Sequence, residues 1–244
     1  MADVAIGADM AGLVLYRVGG RDQTVPMEAI DAAPVLDKTG LIGGCLRLPV
    51  AVYANRLRRE VEGLPDAVWD SPGDRVGVHR AAGAVFLRGY APAEGDRPIG
   101  DRPVLDALPY ARALIESLGA PPLRCLLARL PGGALIPTHS DLGPYFARTI
   151  RVHFPVISHA RAWMMCGGLT YVMAPGEAWV LNNSLPHAVW NAHPSQARTH
   201  LICDVLLSPA LQALLARGEG GLGRRVEHVE QEIATRTAKR AVRA

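Results

Sequence analysis

Three residues in the second half of the chain have the side chains and order of metal ligands. His139 and Asp141 are separated by one residue, and His187 follows later. Two imidazoles and one carboxylate can bind one face of a metal ion, and this set is typical of non-haem Fe(II) because it leaves the opposite face open. A His-x-Asp triplet alone has low specificity, but the later histidine raises it. The sequence therefore predicts a metal site at His139, Asp141 and His187.

A cation and an imidazole share one face of a nearby segment. Arg151 and His153 alternate with three apolar residues at 150, 152 and 154. Because strand side chains alternate between two faces, we expect the polar pair to point the same way. If that face is buried, the cation needs an anion. If it faces solvent, the pair has no special role.

A second arginine follows the last histidine of the predicted metal site. Arg198, His200 and Asp204 are separated by even numbers of residues. In a strand, the three side chains should therefore lie on the same face. Asp204 could be a structural ion-pair partner of Arg198. The alternative is that Arg198 binds the carboxylate of a ligand, since the guanidinium fork matches a carboxylate.

Short strands with turn signals between them must position these residues. Turn-forming segments such as Cys166-Gly167-Gly168 and Pro175-Gly176 divide the region from 123 to 207. Several short antiparallel strands at such spacing predict a sandwich or jelly roll. The candidate strands are 124–130, 134–138, 148–156, 162–173, 177–182, 187–191 and 197–207.

Helices and further strands are predicted on either side of this region. Residues 1 to about 45 contain short apolar runs (Gly12 to Val18, Leu41 to Leu48) that read as strands and loops, and 76–89 reads as one or two strands. Apolar periodicity and stop signals predict four helices. These helices are 51–62, 106–118, 208–217 and 224–242.

Composition excludes several classes of protein. The chain has 244 residues, of which 49% are hydrophobic and 20% are charged, and it contains no apolar run long enough to span a membrane. The net charge of +3 comes from the region after residue 216, and no basic stripe predicts nucleic-acid binding. Four widely spaced cysteines without a C-x-x-C pair indicate free thiols. We therefore expect a cytoplasmic protein without membrane or nucleic-acid partners.

The motifs resemble the aspartyl/asparaginyl β-hydroxylase family of Fe(II)/2-oxoglutarate-dependent dioxygenases, which includes bacterial hydroxylases of free amino acids such as proline. The resemblance covers about residues 124–209 and extends more loosely to Val78-His79-Arg80 and the 86–89 segment. Its fold is a double-stranded β-helix (jelly roll, cupin-like), mainly β with flanking helices. The matching pieces are Pro137 to Asp141, Arg151 to His153, Gly176 to Trp179, Asn182 to Ser184, His187 to Asn191 and Arg198 to Val205.

The resemblance implies a role for each motif residue. His139, Asp141 and His187 would bind Fe(II), and Asp141 places the chain with the amino-acid hydroxylases, because the vertebrate protein-modifying members lack this carboxylate. Arg198 would bind the distal carboxylate of 2-oxoglutarate. Arg151 and His153 would contact its other end. One departure is that a serine of some members is absent, since this region reads Leu126-Leu127-Ala128.

The expected protein is therefore an Fe(II)/2-oxoglutarate-dependent dioxygenase that hydroxylates an amino acid or amino-acid side chain, free or within a peptide, and releases succinate and CO2. We expect one dioxygenase domain at 1–208, with a β-helix core at about 76–208 and residues 1–75 packed on it. Residues 209–244 form a helical extension that either covers the domain or makes a homodimer contact. The alternatives are a non-catalytic jelly-roll module that binds metal or carboxylate, and a metal-dependent cupin enzyme such as an isomerase.

Overall fold

Ten strands in the described residues form two antiparallel sheets. The computed structural model describes residues 24–69, 77–93, 97 and 99–241, so the strand predicted at Gly12 to Val18 lies outside it. The strands are β1 (Cys45–Leu48), β2 (Gly83–Arg88), β3 (Pro122–Leu130), β4 (Leu135–His139), β5 (Thr149–Ile157), β6 (Ala162–Cys166), β7 (Leu169–Val172), β8 (Ala178–Leu181), β9 (His187–Asn191) and β10 (Arg198–Leu206).

The larger sheet has two buried faces of different chemistry. Its strand order is β1-β8-β5-β10-β3-β2. On β5, Ile150, Val152 and Phe154 are fully buried and belong to the main hydrophobic core. Arg151 and His153 alternate with them, so they occupy the opposite face. The sheet therefore packs its apolar side against helices and directs a polar row toward the smaller sheet.

The smaller sheet closes the other side of the polar row. Its strand order is β4-β9-β6-β7. A two-residue turn at Gly167 and Gly168, both with positive φ, joins β6 to β7, as tight hairpins require. Side chains from both sheets meet in one apolar cluster that contains Leu130 of β3 and Met164 of β6. The predicted mainly β jelly roll is confirmed.

Seven helices surround the sheets in the described residues. Leu57 and Leu114, on two of these helices, are buried in the core behind the larger sheet. Ser208 caps the sixth helix, because its hydroxyl accepts a hydrogen bond from Leu211 N at 3.1 Å. The helices are α1 (Met27–Asp31), α2 (Lys38–Ile42), α3 (Ala54–Glu62), α4 (Pro109–Ser117), α5 (Pro144–Arg148), α6 (Pro209–Ala216) and α7 (Glu227–Ala241).

The last helix packs on the chain's own smaller sheet. Val229 and Ile233 of α7 are fully buried against Leu135 and Ala188. The α7 residue Thr237 accepts a hydrogen bond from Thr138 N, next to the predicted ligand His139. The apolar stripe of α7 therefore covers the domain, and these two residues are not available to a second copy.

Candidate metal centre

His139 and His187 are directly opposite each other on neighbouring strands. They pair across β4 and β9, and a register shift between Ile136 and His139 sets this position. The two ring centroids lie 4.2 Å apart. Each ring places Nδ1 against a backbone carbonyl, that of Pro137 at 2.8 Å and that of Leu185 at 2.9 Å. Because a carbonyl only accepts, both Nδ1 atoms carry the proton and both Nε2 atoms keep a lone pair for a metal.

The Asp141 carboxylate divides its two oxygens between protein donors and the histidines. Oδ2 accepts hydrogen bonds from Arg151 Nη1 and from Asn183 Nδ2, the latter at 3.0 Å. Oδ1 lies 3.7 Å from His139 Nε2. Burial alone would raise the pKa of Asp141, but Arg151 and then His187 lower it well below its usual range. The carboxylate is therefore ionised at neutral pH and directs one oxygen toward the imidazoles.

A third histidine that the ligand prediction did not include lies at the same place. Among the described residues, the donor atoms of His79, His139 and Asp141 all lie within 4.8 Å of one another. The His79 and His139 ring centroids are 4.8 Å apart. His187 is outside this group of three, although it contacts His139. His79 comes from a 3-10 turn at Gly77–Ala81, in the segment that the resemblance covers only loosely.

Arg151 is bound to two carboxylates. Its Nε and Nη2 donate to the Asp204 oxygens at 2.7 and 3.0 Å, and its Nη1 donates to Asp141. Asp204 also accepts from Arg124 Nη2 at 3.2 Å. The alternative in which Asp204 pairs with Arg198 is therefore wrong, because the pleat places Asp204 opposite Arg151 in the β10–β5 register. Arg151 orients Asp141.

Arg198 lies in a buried group with two neutral histidines. Arg198 Nη2 donates to His200 Nδ1 at 2.8 Å, and an arginine can only donate. His153 Nδ1 lies 3.3 Å from the same His200 nitrogen. Burial, followed by the charge of Arg198, lowers the pKa of both histidines well below the usual value. The positive charge of this group therefore resides on Arg198, which is 4% exposed.

A buried lysine reaches the centre through an amide. Lys38 of α2 donates from Nζ to Asn183 Oδ1 at 2.6 Å. This bond turns the Asn183 amide so that its nitrogen faces Asp141. Burial, and then Arg151, lower the pKa of Lys38 to about 8. The lysine therefore helps to fix the predicted carboxylate ligand from an element far away in the sequence.

All six predicted site residues line one cavity between the two sheets. The cavity has a volume of about 280 Å³, just below the usual range of small-molecule sites. Arg198 and the region of Leu126 and Ala128 form part of its wall. The structure thus brings together the six residues that the motifs predicted: His139, Asp141, Arg151, His153, His187 and Arg198.

The donor set fits a divalent first-row metal. Two Nε2 lone pairs and one carboxylate oxygen are the ligands of a 2-His-1-carboxylate iron site, and each ligand has a supporting hydrogen bond. Arg198 in the same cavity offers a guanidinium to a dicarboxylate. The residues therefore fit Fe(II) and 2-oxoglutarate, the pair that the resemblance implies.

Residues 101–207 match the family model described as aspartyl/asparaginyl beta-hydroxylase. The predicted resemblance is confirmed. The matched segment includes β3 to β10 and all six predicted site residues. The family match also supports the prediction that the protein is an enzyme of the hydroxylase type. His79 and Lys38 lie before the matched segment of this hydroxylase-like chain.

Two solved structures that are similar to this chain share little sequence with it. An oxidoreductase of the 2OG-Fe(II) oxygenase family from Burkholderia pseudomallei is 17% identical, with a TM-score of 0.46 over 67% of this chain and 85% of that one. A prolyl-4-hydroxylase from Pseudomonas putida is 16% identical, with a TM-score of 0.44 over 71% and 97%. No curated protein sequence matches the chain. The resemblance to the family therefore rests on the family model over residues 101–207.

Proposed function

We propose that the protein is an Fe(II)/2-oxoglutarate-dependent hydroxylase that oxidises an unactivated carbon of an amino acid or amino-acid side chain, free or within a peptide. Succinate and CO2 would be the co-products. The observation that carries this proposal is that Asp141 Oδ1 lies 3.7 Å from Nε2 of His139, whose ring lies against that of His187, with Arg198 in the same cavity wall.

Each residue has a defined task in this reaction. His139, Asp141 and His187 would hold Fe(II), and the bound metal and 2-oxoglutarate would supply the activation of O2. Arg151 and Asn183 hold the Asp141 carboxylate by its other oxygen, so it stays in one orientation. Arg198 would bind the distal carboxylate of 2-oxoglutarate, and the apolar wall would exclude water from the reacting carbon.

The test is a turnover screen of the purified protein with Fe(II), 2-oxoglutarate and a panel of amino acids and peptides. We expect iron-dependent succinate together with a product that carries one more oxygen atom. Asp141→Ala should abolish substrate-dependent succinate formation. A non-catalytic module would bind Mn(II) and 2-oxoglutarate without forming succinate, and a cupin isomerase would not bind 2-oxoglutarate; either result would contradict the proposal.

The cellular compartment of the protein and the binding partner of the site are also proposed. All four cysteines are buried and free, which supports a reducing cytoplasm. None of the described helices is long and apolar enough to cross a membrane. We propose a small-molecule or peptide substrate as the partner of the site.

A further inference from the structure

We propose that the substrate is a small carboxylic acid whose carboxylate binds the guanidinium of Arg124. The inference rests on the hydroxylase function proposed above, because it concerns what the same cavity binds beside the metal. It adds a specificity-determining residue to the six that the motifs predict.

Arg124 faces the cavity from the larger sheet. On β3, Arg124 lies on the same face as Leu126 and Ala128, which follow it at two-residue spacing. All three residues line the cavity wall. The aromatic side chain of Phe146 lies beside it, with the guanidinium carbon 5.5 Å from the ring centroid. The side chain of Arg124 is only 15% exposed. A cation in such a wall is partly desolvated and therefore interacts strongly with an anion.

The hydrogen-bonding capacity of Arg124 is incompletely used. Within the described part of the chain, its ion pair joins Nη2 to Asp204 Oδ2 at 3.2 Å. Among the described residues, its buried Nε finds no hydrogen-bond partner. An arginine offers five N–H groups in a planar fork, and buried donors are rarely left unsatisfied. The Arg124 guanidinium can thus donate hydrogen bonds to one further anionic ligand.

Asp204 does not neutralise Arg124 fully. Arg151 binds both oxygens of Asp204, at 2.7 and 3.0 Å. Arg124 shares only Oδ2, and the Tyr145 hydroxyl donates to the same oxygen at 3.4 Å. Arg124 therefore has only one, longer contact with a carboxylate that Arg151 holds through two shorter ones. This contact leaves part of the Arg124 fork for another acceptor.

The other residues that line the cavity favour a substrate whose carboxylate is attached to a small apolar group. The lining of the same cavity includes Ala91, Pro92 and Ala93 as well as Phe86 and Ile202. The volume of about 280 Å³ must also hold the co-substrate. A compact aliphatic amino acid with a free carboxylate meets both requirements. A residue inside a peptide lacks a free α-carboxylate.

The experiment compares acids with their neutral analogues in the Fe(II)- and 2-oxoglutarate-loaded enzyme. The probes are L-proline, L-leucine, L-isoleucine and L-methionine, each as the free acid and as the carboxamide. We expect kcat/KM for the best acid to exceed that of its carboxamide by about 30-fold, the range of one charge-assisted hydrogen-bonded pair. Equal turnover of acid and carboxamide would overturn the inference while leaving the hydroxylase function intact.

Variants then assign the preference to Arg124. Arg124→Met should reduce acid turnover by about 30-fold but leave carboxamide turnover within about three-fold, because only the acid uses the guanidinium. Arg124→Lys should keep part of the preference. Arg129→Met is the matched control, since Arg129 is on the same strand but on the opposite face, over Trp69. An equal loss with acid and carboxamide would show a structural role and overturn the inference.

If none of the probes is oxidised, the inference is tested by measuring how the probes bind. Calorimetry on the Mn(II)–2-oxoglutarate complex should then show binding of an acid but not of its carboxamide. Absence of acid binding would overturn the inference. Failure to form iron-dependent succinate with any member of the wider panel of amino acids and peptides would instead contradict the proposed function.

Discussion

At the scale of single residues, the Asp141 carboxylate shows how this site is organised. One oxygen accepts from Arg151 and Asn183, and the other lies beside His139. A carboxylate held in this way loses little entropy when it binds a metal. Its supporting residues should therefore affect metal affinity even though they do not bind the metal.

Lys38→Met tests this support. The variant keeps the buried aliphatic stem but removes the Nζ donor to Asn183, so the Asn183 amide is no longer fixed toward Asp141. We expect the Mn(II) dissociation constant to rise by about 10-fold, measured by calorimetry without 2-oxoglutarate. Lys239→Met, at an exposed position of α7, is the control and should bind Mn(II) normally. An unchanged affinity in Lys38→Met would show that Lys38 has no role in the centre.

Arg198→Met tests the predicted co-substrate cation. Because a guanidinium and a carboxylate form a paired, charge-assisted contact, we expect the KM for 2-oxoglutarate to rise by at least about 10-fold. The affinity for Mn(II) should stay the same, since Arg198 is not a metal ligand. Arg129→Met again serves as the control. An unchanged 2-oxoglutarate requirement would leave Arg198 with a structural role beside His200.

Residue types and order could predict the candidate ligands, but not the pairing of charges. The alternation of side chains along a strand predicts Arg198 and Asp204 on one face, which made an ion pair between them plausible. The partner of Asp204 is Arg151 on the adjacent strand, and strand register is not visible in the sequence. His79 and Lys38 were missed as site residues because they come from short elements far from the motifs.

At the scale of elements, the strands were predicted well because glycine and proline mark their ends. Strands β3 to β10 lie within a few residues of the predicted segments, and the predicted 162–173 strand is divided by the Gly167-Gly168 turn. The short helices α1, α2 and α5 were not predicted, since five residues are too few for an apolar periodicity. One of them, α2, carries Lys38.

Ile233→Ala tests the position of α7. Ile233 is fully buried against the smaller sheet, so the variant should lower the free energy of unfolding by about 2–5 kcal/mol. Gln231→Ala, on the exposed side of the same helix, should have little effect. Denaturant unfolding at two protein concentrations makes the measurement. A loss of stability that depends on concentration would instead indicate that α7 packs against a second copy.

At the scale of the whole molecule, three buried histidines are kept neutral by the fold, two of them in the cavity wall and the third beside His153. Burial, and then His139, lower the pKa of His187 to about 4, and the pKa values of His153 and His200 are also lowered. The unfolded chain takes up these protons near the usual value of 6.5. The folded, metal-free protein therefore loses stability as the pH falls below that value.

Urea unfolding of the metal-free protein between pH 7 and pH 4 checks this dependence. We expect the free energy of unfolding to fall continuously across the window, with a contribution from His187 on the order of 3 kcal/mol. His187→Gln should flatten the dependence, because it removes one of the titrating groups. A stability that is constant from about pH 6.5 to 4 would contradict the neutral, buried state of these histidines.

The fate of labelled oxygen tests the central claim most directly. The protein is loaded with Fe(II) and 2-oxoglutarate, given an oxidisable amino acid under ¹⁸O₂, and analysed by mass spectrometry. The proposed function predicts one labelled atom in succinate and one in the hydroxylated product, in equal amounts, with both absent in Asp141→Ala. Product without label, or succinate that forms equally without iron, would contradict it.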